Sequence, residues 1–154
     1  MTITVEDVKQ LRDRTGLPLN QCKDALEGAG GDIEKALELL REKGAIIAAK
    51  KSDRALGSGS IQAYIHNNGS IGALAELQCE TDFVARNPEF QALAKDFAMQ
   101  IAATDDTILE AGAEEILKQP FFKNPDMTLG GLIDGAVQKF GERTQLGRFC
   151  KYTV

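Results

Sequence analysis

Apolar residues recur at helical spacing through the first third of the chain. Val5, Val8 and Leu11 form a stripe behind Thr4, which can cap a helix with Asp7 three residues on, and Gly16 stops it. A second helix opens with Pro18 in its first turn. Leu19, Cys22, Leu26 and Ala29 make its buried side, and Gly30-Gly31 end it. Asp32 caps a third, whose Ile33, Ala36, Leu37 and Leu40 recur up to Gly44. Each is too short to persist alone in water, so the three must pack together. Residues 45–54 predict one or two further helical turns feeding a linker, and Gly57-Ser58-Gly59-Ser60 marks a boundary.

Beyond that boundary the period changes to two. Residues 61–66 and 71–77 read as strands joined by the turn Asn67-Asn68-Gly69-Ser70. Asn87 then caps a helix with Pro88 in its first turn and Phe90, Leu93, Ala94, Phe97, Ala98 and Ile101 on one face. Asp105 or Asp106 opens a weaker helix through Ile116 and Leu117. After a turn at Pro120 and Pro125, Thr128 caps a last helix with Leu129, Leu132, Ile133, Ala136, Val137 and Phe140 inward, ended by Gly141. Residues 144–154 predict a closing strand.

The pattern predicts an α+β chain: a three-helix unit with its linker at 1–54, then at 55–154 a three-stranded antiparallel sheet with helices on one face. Ile61, Ile65, Leu74, Leu77, Phe149 and Tyr152 are more apolar strand residues than one covered face needs. That surplus predicts a homodimer through the core sheet, with Cys150 on the same strand, where packing is its expected role.

The 154 residues carry a net charge of −5, which disfavours direct binding of nucleic acid or an anionic membrane surface. The N-terminus has acids where a secretory signal needs bases and an apolar run. No segment approaches a membrane span. Three cysteines without such a signal read as reduced thiols, which points to the cytoplasm. Cys22, Cys79 and Cys150 have no zinc spacing and the lone His66 has no triad partner, so no metal site, cofactor or catalytic centre is predicted. Lys50, Lys51 and Arg54, the sole basic cluster, read as a solvated helix end.

One loop breaks the usual logic. Between the strand ending near Cys79 and the helix capped at Asn87 lies Glu80-Thr81-Asp82-Phe83-Val84-Ala85-Arg86. Strand-to-helix loops are ordinarily polar, yet Phe83 and Val84 sit here among charges. Either Phe83 plugs the gap between sheet and helix, or it stands outside as an aromatic anchor for a partner.

Residues 79–87 resemble the motif of the translation elongation factor Ts family. Leu11-Arg12-Asp13-Arg14-Thr15-Gly16, Cys22-Lys23-Asp24-Ala25-Leu26 and Gly30-Gly31-Asp32-Ile33-Glu34-Lys35-Ala36 resemble its N-terminal ubiquitin-associated-like three-helix domain. Ala48-Ala49-Lys50-Lys51 is similar to its linker and Gly147-Arg148-Phe149 to its closing strand. The resemblance implies a guanine-nucleotide exchange factor for elongation factor Tu. Thr81, Asp82, Phe83 and Val84 would disturb the partner's Mg²⁺ and phosphate site. Leu17, Pro18, Leu19, Asn20, Gln21, Cys22, Lys23, Arg86 and Asn87 would contact the partner. Two departures stand out. Common bacterial members are longer, with a second core half, which fits a dimer here, and Leu17-Pro18-Leu19-Asn20-Gln21 replaces the usual Met-Met-Asp stretch. The alternatives are a ubiquitin-associated-type adaptor without exchange activity, or an enzyme using Glu80 and Asp82 as acid and base.

Overall fold

Side chains that satisfy free backbone N–H groups start most of the longer helices. In the computed structural model, which describes residues 2–154, Thr4 and Asp7 form a reciprocal capping box that starts α1 (Val5–Thr15), and Gly16 closes it in the left-handed conformation at φ 68°. Pro18 caps α2 (Leu19–Gly28) from outside the helix rather than sitting in its first turn. Asp32 accepts from the Lys35 N–H to start α3 (Ile33–Lys50). Leu11, Leu17, Cys22, Leu26, Ala36, Leu37 and Leu40 pack into one apolar cluster between these helices. Val5 and Leu19, expected inward, are exposed. Each lies in the first turn of its helix, where few neighbours reach.

Gly44 does not end α3. The helix runs on to Lys50 because Gly44 is buried against a later helix, where a Cβ would meet the Asp134 carbonyl oxygen at 3.4 Å and Gln138 Oε1 at 3.0 Å. Missing side-chain bulk lets two backbones approach, which outweighs glycine's low helix propensity.

The sheet is the three-stranded antiparallel one expected, in the order β1 (Ser58–His66), β2 (Ile71–Cys79), β5 (Gln145–Thr153). Ser58, Gly59 and Ser60 belong to β1, so the linker is shorter than composition suggested. Asn87 caps α5 (Pro88–Ala103), which lies across β1 and β2 and buries Phe90, Ala94, Phe97, Ala98 and Ile101 over Ala73, Ala75 and Leu77. The weak helix after Asp105 is two pieces, α6 (Asp106–Ala111) and α7 (Ala113–Leu117), divided at Gly112 with φ 101°. The turn at Pro120 and Pro125 is a small hairpin of β3 (Pro120–Phe121) and β4 (Asn124–Thr128). Thr128 caps α8 (Leu129–Phe140), which packs between the α3 backbone and the sheet-side core.

The other sheet face is uncovered, apolar around Ile65, Leu74 and Tyr152 and charged where Glu76 pairs with Arg148 at 2.7 Å. Ile61, Ile65, Leu74 and Tyr152 are exposed on it, Ile65 at 64 % and Tyr152 at 77 %. Leu77 and Phe149 do not belong to it. Leu77 lies three residues from Leu74 and so points the opposite way. Phe149 pairs with Ala75 beneath the helices, the ladder being shifted between Leu146 and Phe149.

Candidate functional site

Beyond β2 the chain makes a single helical turn, α4 (Asp82–Ala85), before α5 begins. Thr81 caps it, its hydroxyl accepting from the Val84 N–H at 3.5 Å. Val84 and Ala85 are buried in the sheet-side core and fasten the turn to the body of the protein. Phe83, between Asp82 and Val84, points the other way with 89 % of its surface exposed. The plug alternative is therefore excluded: the core closes with Val84, and the phenyl ring stands outside. An aromatic ring left in water contributes little to the stability of the fold.

The loop is held on several sides. Asp82 Oδ1 accepts from the Ser58 hydroxyl at 2.5 Å. The Glu142 carboxylate, just past α8, accepts from the Thr81 N–H at 3.0 Å and from its hydroxyl at 2.7 Å. Glu80 accepts from the Arg143 N–H at 2.7 Å and pairs with Arg54 at 3.5 Å. The Cys79 thiol donates to the Thr81 carbonyl at 3.3 Å. Burial, joined by the charges of Glu142 and Asp82, raises the thiol's pKa, so Cys79 stays protonated and serves packing rather than reactivity.

The residues expected to meet a partner divide in two. Thr81, Asp82, Phe83 and Arg86 are exposed; Asn87, half-buried, caps α5 by accepting from the Glu89 N–H at 2.9 Å. On the helical unit Pro18, Leu19, Asn20 and Lys23 are exposed, whereas Leu17 and Cys22 are buried and position the turn from beneath. Gln21 is half-buried and accepts from the Gln138 side chain at 3.2 Å, tying α2 to α8. The two groups meet at Asn87 alone. Leu17, Pro18, Leu19 and Asn20 face Asn87 and Lys139 across an open groove of about 490 Å³.

Lys51 and Arg54 are not simply solvated, since Lys51 donates to the Gly141 carbonyl and Arg54 joins the Glu80 pair. Glu142 and Arg143 were not singled out in the sequence. They follow Gly141 as an ordinary charged turn, and their partners lie about sixty residues away in the chain, so no local pattern marks them. His66 meets the Tyr64 hydroxyl at 2.9 Å on an exposed edge. Among the described residues, no group of three or more His, Cys, Asp or Glu side chains is placed to hold a metal ion, and no helix is long and apolar enough to cross a membrane.

Comparison with known proteins identifies the family. The family model described as elongation factor TS matches residues 80–154, beginning at the loop just described. Elongation factor Ts of Carboxydothermus hydrogenoformans is 39 % identical, the match covering 99 % of this chain and 89 % of that one. The chloroplastic elongation factor Ts of Porphyra purpurea is 40 % identical, over all of this chain and 89 % of that one. For the Aquifex aeolicus protein of the same name identity is 45 %, over 99 % of this chain but 53 % of the relative. The class is thus that of the translation elongation factors. Within it, the chain belongs to the elongation factor Ts family.

Proposed function

We propose that this chain is a guanine-nucleotide exchange factor for elongation factor Tu, acting by contact and making or breaking no covalent bond. The observation that carries the reading is Phe83, an aromatic ring held in water on a turn whose neighbours are fixed. A partner's nucleotide domain holds GDP through a phosphate loop and Mg²⁺. Phe83 enters between helices of that domain, Asp82 and Thr81 approach beside it, and Val84 anchors the turn from within. The displaced Mg²⁺ leaves phosphate charge uncompensated, and GDP departs. Because coupling between sites is reciprocal, this factor binds most tightly to the empty partner and is expelled when GTP enters.

Magnitudes apportion the work. Burying one phenyl ring is worth about 1.5–3 kcal/mol, or roughly one to two decades of affinity. Larger acceleration needs metal displacement and a second contact that holds the factor in place. Residues 1–54 supply that contact as an anchor and residues 55–154 form the exchange unit. Pro18, Leu19 and Asn20 present the anchor surface beside Asn87, so one partner can span both; Lys23 and Arg86 extend the two sides of that surface.

The uncovered sheet face completes the reading. Ala63, Ile65, Leu74 and Tyr152 surround a shallow apolar depression of about 400 Å³ that also includes Cys150. The same face of a second copy covers it in an isologous homodimer, the arrangement most homo-oligomers adopt. The setting is the cytoplasm, where translation occurs. Timing the release of fluorescent GDP from elongation factor Tu on mixing with the pure chain tests the activity. Release no faster than the partner's spontaneous rate overturns it.

A further inference from the structure

The three residues after α8 reach both ends of the candidate machinery. Gly141 accepts from Lys51 at the end of α3. Glu142 receives both polar hydrogens of Thr81, and the Arg143 N–H donates to Glu80 while its guanidinium donates to the Arg54 carbonyl at 2.6 Å. Two of these contacts act on the turn that carries Phe83. Thr81 has a single hydroxyl proton, and donating it to Glu142 leaves the oxygen's lone pairs facing the Val84 N–H, the group it must accept from to cap α4. The second donation, from the Thr81 N–H, fixes the backbone at the same residue. Phe83 itself is too exposed for its own contacts to set its direction. Its aim is inherited from the α4 backbone.

We propose that Glu142 is the positioning residue for Phe83: it orients the Thr81 hydroxyl, which caps α4 and aims the ring. The inference rests on the exchange reading above and adds a residue that acts through Thr81. A wedge must enter at one angle, and loss of orientation lowers the rate of the step it drives more than the strength of docking.

The test is GDP release from elongation factor Tu measured against concentration of the full-length factor, giving a plateau rate and a half-saturating concentration. Glu142→Ala lowers the plateau about 10-fold while half-saturation stays within about 2-fold. Glu142→Gln keeps one carbonyl acceptor but loses the other, so its plateau falls between native and Ala. Phe83→Ala costs less in the Glu142→Ala background than in the native chain, because a misaimed ring has less to lose. Thermal unfolding confirms that the variants remain folded, and Glu142→Gln, the milder change, decides the matter should the alanine variant unfold. If Phe83→Ala alone leaves release unchanged, the exchange reading fails. If it slows release while Glu142 variants keep the native plateau, or the two effects add in full, the positioning role is overturned.

Discussion

Phe83 and Val84 are adjacent in sequence and opposite in environment: the phenyl ring is 89 % exposed, the valine 7 %. One turn of helix, capped by Thr81, divides the two roles between neighbouring residues.

That division predicts opposite consequences for truncation. Val84→Ala removes buried methyl groups and should cost about 2 kcal/mol of stability. Phe83→Ala should change stability by less than about 0.5 kcal/mol, as surface substitutions do. Urea unfolding of both variants against the native chain measures the difference.

At the contact between the helical unit and α8, Gly44 leaves no room. Gly44→Leu would drive a side chain against the Asp134 carbonyl and the Gln138 amide, costing about 1–3 kcal/mol by overpacking. The same variant should weaken binding to elongation factor Tu, since the anchor no longer sits where Phe83 needs it. Urea unfolding and a binding titration check the two halves separately.

Asp134, on α8, gives a pH signature. Burial raises its carboxyl pKa. With the folded value above the unfolded one, its contribution to stability is greatest at acid pH and is lost as pH rises through the folded value. Asp134→Asn removes that loss. The variant should be more stable than the native chain at pH 7, with the advantage shrinking as pH is lowered towards 4. Unfolding midpoints across that range report it.

The uncovered sheet face predicts an oligomer sensitive to one charge. Ile65 leans over Gly72, within 2.8 Å of where a Cβ would sit, and forms part of a continuous apolar surface with Leu74 and Tyr152. Ile65→Lys should leave the sheet intact and shift sedimentation from two chains to one. Cys150→Ser should leave the proposed dimer in place, since the reading assigns its cohesion to packing and not to a covalent link.

What could be read from the sequence was local. Thr4, Asp32, Asn87 and Thr128 cap helices through bonds to backbone groups two or three residues away, so their pattern is visible in a short window. The alternation of β1 and β2 is local too. What escaped depends on distant partners. Gly44 looked like a stop because its partner, α8, lies some ninety residues on. Which face Phe149 joins depends on the shift in the β2–β5 ladder, which pairs it with Ala75 and is set by a strand some seventy residues away. The orientation of Phe83 was undecidable, since it depends on which neighbour fills the core, and the Glu142 contact that supports it joins residues 61 apart.

The central claim is that the Phe83 ring acts on a nucleotide-binding partner from outside this protein's own core. Stopped-flow release of fluorescent GDP from elongation factor Tu, at saturating native factor and at saturating Phe83→Ala, measures it most directly. The account predicts that the variant still saturates but releases GDP roughly 10-fold or more slowly, in keeping with the burial of one ring. Equal plateau rates for the two proteins would contradict it.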